Sequence, residues 1–311
     1  MEFTFRNYKA GDEDQIIDLF NRTFQSKIDK AWWNWRYLEN PIDSIRIKLA
    51  FSGDKLISHY AVSPVELLRK NKTYLTAQSM TTMTDKNFEG RGLFTRLAKS
   101  LFSDLKKDGF DFLFCFPNRK SHGIFIEKLS WSDIGVNHSL VLKFSQYIKN
   151  AECPEFRCNV QDVNKLCNLD IHINTLEAFQ LKASKDFFSW RLSEKSGNSY
   201  FIIKVVSTKN DQSSHIIFKK YDKSIDIVYL NGHEDMLLHG INYMVDLYDG
   251  SEVIGINLWC SISDQLHIKL ERLGFALGEP NFYFSGLALS EDVELHEFGG
   301  WKMDMLLSDL F

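Results

Sequence analysis

Two glycines stand where a strand-like segment gives way to a helical one. Gly90 and Gly92 follow the run 77–84 and precede the segment 93–105, whose apolar residues recur at helical spacing. The pattern predicts a strand, a glycine-containing turn and a helix. The first N–H groups of a helix lack partners within it and lie at the positive end of its dipole, so they can bind a phosphate or pyrophosphate. Glycine allows a ligand to approach closely because it carries no side chain.

Other glycine-containing loops fit this stretch less well. A dinucleotide fingerprint needs a third small residue where Thr95 stands, and a triphosphate loop needs Gly-Lys-Ser/Thr, which the stretch 88–98 does not contain. A tight turn without a ligand stays open as an alternative. If a pyrophosphate binds, we expect Glu89 to point away from it, because like charges repel, and the main-chain amides to hold it.

The surrounding pattern alternates strands and helices. In the first half, strands are predicted at 2–8, 45–52, 56–62, 65–68, 74–75, 77–84, 112–116 and 136–144, with helices before the aromatic cluster 32–37, after the glycine turn and at 121–129. In the second half, strands are predicted at 200–206, 214–221, 225–230 and 253–260, with helices at 236–247 and 264–273. This order of elements predicts a mixed α/β chain.

The second half looks like a degenerate copy of the first. Trp190-Arg191 echoes Trp35-Arg36, and the helix end at 271–275 parallels the one at 127–131. The glycine turn has no such counterpart, because 231–235 holds one glycine and two acidic residues that would repel a pyrophosphate. The expectation is a duplicated fold with one cofactor site, in the first half. Chance similarity of short motifs is the alternative.

The stretch 88–98 resembles the acyl-CoA pyrophosphate loop of the GCN5-related N-acetyltransferase (GNAT) superfamily, whose pattern is Arg/Gln-x-x-Gly-x-Gly/Ala. Gly92 matches the first required glycine, and Gly90 fits the common Arg-Gly-x-Gly form. Glu89 and Phe94 stand where Arg or Gln, and Gly or Ala, are usual. The strand 112–116, followed by Asn118 and a helix end at 125–131, is similar to this family as well. Ile126 replaces the Tyr that often serves there as general acid, so that role does not carry over.

The resemblance implies a tandem acyl-CoA N-acyltransferase fold of the α/β (α+β) class, with mixed, mostly antiparallel twisted sheets flanked by helices. The implied division is an acyl-CoA domain at 1–148 and a degenerate domain at 149–311 that completes the acceptor pocket. Acyl-CoA would be the co-substrate, with no metal. The residues implied in holding it are Met83, Thr84, Glu89, Gly90, Arg91, Gly92, Leu93, Phe94, Thr95, Asn118 and Ser121.

Transfer of an acyl group to an amine requires a held thioester, a stabilised oxyanion and a deprotonated amine. Four residues are candidates for this chemistry: Asp85, His122, Asn118 and His59. Asp85 could equally cap the turn, His122 could be a surface or capping residue, and His59 could be a hydrogen-bonded core histidine. An amine that loses its proton through water would need none of them.

The acceptor is narrowed by a second resemblance. Chains of this length with Trp-x-Trp-Arg-Tyr at 33–37, Phe-Pro-Asn at 116–118 and a C-terminal Trp segment at 300–303 look like bacterial sugar N-acyltransferases. That resemblance implies a nucleotide-linked deoxyamino sugar, destined for surface polysaccharide, as acceptor. The aromatic cluster 32–37 is interpreted as packing, with a stacking surface for the ligand as the alternative. Two other functions stay open: a peptidoglycan aminoacyltransferase and a non-catalytic acyl-CoA sensor.

Composition bounds the remaining possibilities. The 311 residues, 44% of them hydrophobic, suffice for one large or two medium domains. A net charge of −4 argues against nucleic acid as a partner. No apolar run reaches the length of a membrane helix and the first residues are not a signal peptide, so a cytoplasmic protein without a membrane partner is expected. Five cysteines without a Cys-x-x-Cys pair predict free thiols; zinc at Cys153, Cys158 and Cys167 is a minor alternative. The oligomeric state is left open.

Overall fold

One continuous sheet, with 13 strands among the described residues, runs through both halves of the chain. The computed structural model describes residues 2–43, 46–149, 153–163, 177–182, 184–295 and 298–309. Most neighbouring strands are antiparallel, and two pairs of the described strands are parallel.

The strands and helices have the following bounds. The first half contains β1 (Thr4–Asn7), α1 (Glu13–Phe24), α2 (Lys30–Leu38), β2 (Arg46–Ser52), β3 (Lys55–Arg69), β4 (Lys72–Thr84), α3 (Leu93–Lys107), β5 (Phe112–Cys115), α4 (Arg119–Leu129) and β6 (Ser132–Lys143). The second contains β7 (Phe156–Asp162), β8 (Gln180–Leu181), α5 (Lys185–Arg191), β9 (Tyr200–Ser207), β10 (Ser213–Tyr221), β11 (Ser224–Asn231), α6 (Glu234–Tyr248), β12 (Gly255–Trp259), α7 (Gln265–Arg272) and β13 (Ala276–Ala288). The strand order across the sheet is β1-β2-β3-β4-β5-β13-β6-β12-β11-β10-β9-β7, with β8 paired to β3. The parallel pairs among the described strands are β4 with β5 and β11 with β12.

Helix α3 packs on the sheet through the apolar stripe that its sequence predicts. Leu93, Leu97, Leu101 and Leu105 are each at most 2% exposed and lie in one cluster with residues of β3, β4, β5 and α4. Burying a leucine side chain contributes roughly 2 kcal/mol. Helices α1 and α2 pack in a separate cluster with β2, β3 and two methionines of β4. The glycine turn is thereby fixed at the end of β4.

The two halves exchange their last strands. Strand β13 lies between β5 and β6, pairing Ser285–Ala288 with β5 and Ala276–Gly286 with β6. Strand β6 in turn pairs through Ser139–Lys143 with β12 of the second half. The proposed domain boundary at 148/149 therefore divides the chain but not the sheet, because each half is completed by a strand of the other.

A reciprocal tryptophan contact joins the two copies. The indole Nε1 of Trp35 donates to the main-chain oxygen of Trp190 (2.6 Å), and that of Trp190 donates to the oxygen of Trp35 (2.7 Å). Their helices, α2 and α5, occupy matching places before the first long hairpin of each half. The predicted duplication is confirmed, since β9-β10-β11-α6-β12-α7-β13 repeats β2-β3-β4-α3-β5-α4-β6.

The C-terminal segment runs through the contact between the halves. Trp301 is 2% exposed and packs against Phe112 of β5, against Phe284 of β13, and against Phe179, which precedes β8. Beyond it, Ser308 accepts a hydrogen bond from the Arg191 guanidinium at its main-chain oxygen (2.9 Å). Among the described helices, none has both the length and the apolar character needed to cross a membrane.

Candidate functional site

The glycine turn is open to solvent. Gly90 and Gly92 adopt φ angles of 74° and 70°, in the left-handed region that favours glycine, and a side chain added at either would meet nothing within 4 Å. Gly92 is the N-cap of α3, and no side chain of the described residues caps this end of the helix. Glu89 and Arg91 are exposed as well. The turn is neither plugged nor buried, so a ligand can reach the helix N-terminus.

Asp85 anchors the start of this turn. Its carboxylate accepts hydrogen bonds from Lys55 and Arg22, both at 2.8 Å, and from the main-chain N–H of Asn87 at 3.1 Å. Chiefly because Lys55 donates to it, its pKa is lowered to about 2. A carboxylate this acidic is a weak base at neutral pH. These contacts favour the turn-capping alternative that the sequence left open.

Strand β4 presents a bare edge between the turn and the middle of the sheet. Its parallel pairing with β5 covers Thr76, Ala77 and Gln78, after which β5 diverges while β4 continues to Thr84. Among the described residues, 79–84 thus have β3 on one side and no strand on the other, which leaves a gap beside β4. Main-chain N–H groups along this edge can bind an extended ligand that ends at the turn.

A β-bulge interrupts β4 beside this gap. The pairing with β3 shifts between His59/Met83 and Ala61/Met80, and Thr81 has a φ of 50°. Two groups hold the bulge: the Tyr37 hydroxyl donates to Thr81 Oγ1 (2.6 Å), and His59 Nδ1 lies 2.9 Å from the Thr81 main-chain oxygen. A strained residue fixed from two sides is typical of a functional position.

His59 is a core histidine rather than a surface base. Its side chain is fully buried, and burial lowers its pKa to about 4, so the ring is neutral at pH 7. Its Nε2 has no hydrogen-bond partner among the described residues. Met83 is also buried, on the α1 and α2 side of β4, and the Thr84 hydroxyl lies 2.8 Å from that of Ser58.

The residues predicted around α4 form one local group. Asn118 Oδ1 accepts from the main-chain N–H groups of Lys120 (3.0 Å) and Ser121 (3.1 Å), so it caps the helix. His122 Nε2 lies 2.7 Å from Asp133, and its ring stacks on Tyr283 at 3.9 Å. Asn118 and His122 therefore already have protein partners on the far side of the gap from the glycine turn.

The first turn of α3 is packed behind the glycines. Leu93 is buried, Thr95 is half-buried, and the Phe94 ring lies 5.4 Å from the rings of both Tyr60 and Phe125. Phe94, which replaces the small residue usual in the resemblance, thus points into the core beneath the turn. It leaves the surface of the turn clear.

Asp309, which the sequence did not single out, places a carboxylate on the face of β4 that is opposite α3. Gln78, at the last β4–β5 pair, donates from Nε2 to Asp309 Oδ1 (3.0 Å). Desolvation of the Asp309 carboxylate raises its pKa, against the opposing charges of Arg36 and Arg191, although the residue as a whole is exposed to solvent. No local motif marks Asp309, since it meets Gln78 across 231 positions.

The aromatic cluster of α2 serves packing, as interpreted from the sequence. Trp33, Trp35 and Tyr37 are each at most 5% exposed. Cys153 and Cys158 are free and half-buried, whereas Cys167 lies outside the described residues. Within the described part of the chain, no group of three His, Cys, Asp or Glu side chains has a metal-binding arrangement.

Known proteins share this architecture. Residues 4–132 match a family model described as an acetyltransferase (GNAT) domain. The fold is similar to that of a GCN5-related N-acetyltransferase from Anabaena variabilis, with a TM-score of 0.74 and 9% identity over 93% of this chain and 73% of that chain. A probable N-acyltransferase from Enterococcus faecalis has a TM-score of 0.72 and 11% identity over the same shares.

A tandem GNAT protein from the clavulanic acid biosynthesis pathway is similar over 94% of this chain and all of its own length, with a TM-score of 0.63 and 13% identity. No curated protein matches the sequence. The family model confirms the predicted family for the first half, and the solved structures confirm the predicted tandem fold.

Proposed function

We propose that the protein transfers an acyl group from acyl-CoA to a primary amine, because residues 4–132 match a family model described as an acetyltransferase (GNAT) domain. The observation that carries this proposal is the open two-glycine turn at the N-terminus of α3. It stands at the end of a strand whose edge is bare beyond Gln78. The diphosphate of acyl-CoA needs unpaired helix amides, and its extended arm needs an unpaired strand edge.

The turn holds the pyrophosphate of the donor in this proposal. Gly90, Arg91, Gly92, Leu93, Phe94 and Thr95 would act through their main-chain N–H groups, and the exposed Arg91 adds a positive charge. Met83 and Thr84 would line the arm along β4. Asn118 and Ser121 would face it across the gap. Glu89 is exposed and free to turn toward solvent, where its repulsion of the diphosphate is weakest.

The acyl carbon is attacked near the bulge. N–H groups of residues 79–84 would donate to the thioester oxygen and stabilise the oxyanion as the amine nitrogen bonds to the carbonyl carbon. The tetrahedral intermediate then collapses, the C–S bond breaks, and the CoA thiolate leaves. A thiolate is a good leaving group, so Ile126 in place of Tyr is compatible with turnover. Tyr37 and His59 position the bulge without touching the substrate.

We assign to Asp309 the role of the base that takes the proton from the amine. The burial that raises its pKa makes it a stronger base than Asp85, whose pKa is held near 2. It also lies on the face of β4 that is opposite α3, where an acceptor can approach the strand edge. His59 is enclosed in the core, and His122 is paired with Asp133.

The acceptor we propose is the amino group of a nucleotide-linked deoxyamino sugar. The resemblance of the sequence to sugar N-acyltransferases supports it, and the carboxylate of the exposed residue Asp309 can attract a cationic amine. The ammonium form would be attracted by the carboxylate before it gives up its proton.

Release of free CoA thiol from acetyl-CoA tests the function. The purified protein is assayed with a panel of nucleotide-linked amino sugars, free amino sugars and simple primary amines, and each product is identified by mass. Thiol release that depends on a nucleotide-linked amino sugar supports the full proposal. Release with other amines alone refutes the acceptor and keeps the transferase. Tight acyl-CoA binding without turnover on any amine would favour the sensor alternative.

A further inference from the structure

A cavity occupies the place in the second half that the donor site occupies in the first. Strands β11 and β12 pair in parallel over Ser224–Ile227 and Gly255–Leu258 and then diverge, as β4 and β5 do. The cavity between them has a volume of ≈150 Å³ and is lined by residues of β11, α6, β12, α7 and the C-terminal segment. The duplication of the fold has therefore left a second gap, which nothing in the acyl-transfer proposal uses.

This cavity is lined by acidic side chains, whereas the donor site is suited to a negatively charged ligand. Its lining includes the carboxylates of Glu234, Asp264 and Asp304, with Lys302 as the cation among them. Lys302 donates to the Leu230 main-chain oxygen (2.8 Å). An acyl-CoA diphosphate would be repelled here.

Asp304 is buried and incompletely hydrogen-bonded. Its residue is 4% exposed, and its Oδ1 receives a long contact of 3.4 Å from the Leu230 main-chain N–H. Its Oδ2 has no hydrogen-bond partner within the described residues. A buried carboxylate oxygen without a donor is costly, and a ligand that supplies a charged donor offsets that cost.

The other two carboxylates already have partners. Glu234 pairs with Lys269 at 2.7 Å, and Asp264 accepts from the Leu266 N–H at 2.9 Å as the cap of α7. Asp304 is thus the acceptor that the fold leaves for a ligand. These carboxylates do not form a group with a metal-binding arrangement. An organic cation therefore fits better than a metal ion.

The remaining walls are apolar. Trp259, Leu237, Leu266 and Met303 line the cavity beside the acids. Trp259 also contacts Phe116, at the end of β5, with ring centroids 5.0 Å apart. One wall of the cavity is therefore in contact with the chain at the end of β5.

We propose that this cavity binds a small primary ammonium ion, whose nitrogen donates to the Asp304 carboxylate and whose short apolar body lies between Trp259, Leu237 and Met303. The site is separate from the donor turn and stands whether or not acyl transfer occurs. It gives the degenerate half a ligand of its own, recognised by one charge and a short hydrocarbon.

The test measures binding of n-butylammonium chloride to the full chain by calorimetry, with 1-butanol as the uncharged probe of nearly the same shape. We expect saturable binding of the ammonium at least tenfold tighter than that of the alcohol. Asp304→Asn keeps the shape and removes the charge, and it should abolish the difference between the probes. Asp249→Asn, at an exposed position, is the matched control and should leave it unchanged.

The pH dependence gives a second readout on the unaltered protein. Burial raises the pKa of Asp304 to about 6, against the attraction of Lys302. Ammonium affinity should thus be about tenfold weaker at pH 5 than at pH 7.5. The other charged groups that line the cavity are Glu234 and Asp264, and Tyr229 and Cys260 are its uncharged titratable neighbours.

Three results would overturn the proposal: no saturable ammonium binding, equal affinity for the alcohol, or unchanged selectivity in Asp304→Asn. Affinity that stays flat between pH 5 and 7.5 would also refute the role of Asp304, independently of how that variant folds.

Discussion

A pair of substitutions at Gly92 separates charge from shape at the donor turn. Gly92 has a φ of 70° and space for a side chain, since an added Cβ meets nothing within 4 Å. Asn and Asp tolerate the left-handed region better than other residues, and the two are nearly equal in size and as helix N-caps. Gly92→Asn and Gly92→Asp should therefore share any backbone strain and differ by one negative charge.

The size of the charge effect follows from Coulomb's law. A carboxylate placed about 6 Å from a diphosphate bearing two charges raises the binding free energy by roughly 1.4–2.8 kcal/mol, for an effective dielectric constant of about 80 down to 40 at this open turn. That corresponds to a loss of affinity of about tenfold to 100-fold for Gly92→Asp relative to Gly92→Asn. The difference should shrink as salt is added, because the turn is exposed.

Calorimetry with CoA measures both variants under identical buffer and ionic strength. Thermal unfolding of each variant serves as the control, and we expect equal midpoints. If the two variants bind CoA equally well, the pyrophosphate does not lie at this turn and the donor site is misplaced. If both variants bind CoA more weakly than the native protein but to the same extent, the shape of the added side chain and not its charge causes the loss, and this result would also contradict the reasoning.

Three further predictions concern other parts of the molecule. Asp309→Asn should lower kcat/KM for the amine by about 10²–10⁴-fold while the CoA dissociation constant stays the same; unchanged turnover would remove Asp309 from the mechanism. Asp304→Asn should be more stable than the native chain by roughly 3 kcal/mol at pH 8 and equal to it at pH 4. Burial raises the Asp304 pKa from 3.8 to about 6, so the native chain loses stability as the pH rises through that window. Urea unfolding at the two pH values measures the difference, and a difference that does not change with pH would contradict the prediction. Trp190→Phe removes the donor to the Trp35 main-chain oxygen and should cost about 1–3 kcal/mol in urea unfolding; a neutral change would show that the reciprocal bond does not stabilise the contact between halves.

The parts of the fold that depend on local pattern were predictable from the sequence. The apolar stripe of α3 and the short apolar run of β5 have clear periodicity, and both lie within a few residues of their predicted places. The echo of Trp35-Arg36 at Trp190-Arg191 identified equivalent segments of the two halves, because a Trp-Arg pair is rare enough to align. These signals need no knowledge of distant contacts.

The parts that depend on distant contacts were not predictable. The exchange of β6 and β13 leaves each strand with ordinary alternation, so nothing in the sequence shows which half it joins. Four of the nine residues of helix α2 are aromatic, and aromatic residues are enriched in strands. Its helical form depends on Asp29, which caps it by accepting from the Trp32 N–H (2.8 Å).

In the candidate site, too, some features follow from the local sequence and others depend on distant contacts. The open turn follows from Gly90 and Gly92, since its conformation is set by the backbone freedom of two residues. Asp85 was a candidate base because it is the first carboxylate after β4, and only its contacts with Lys55 and Arg22 show how acidic it is. Asp309 could not be proposed without the hydrogen bond that brings it to Gln78.

Amide chemical shifts on addition of CoA test the central claim most directly. Main-chain N–H groups that bind the diphosphate and the extended arm should shift most, so a ¹⁵N-labelled protein titrated with CoA should show its largest changes at residues 90–95 and along 79–84. Shifts concentrated at 231–235, around the gap of the second half, would place the nucleotide in the wrong copy and contradict the account.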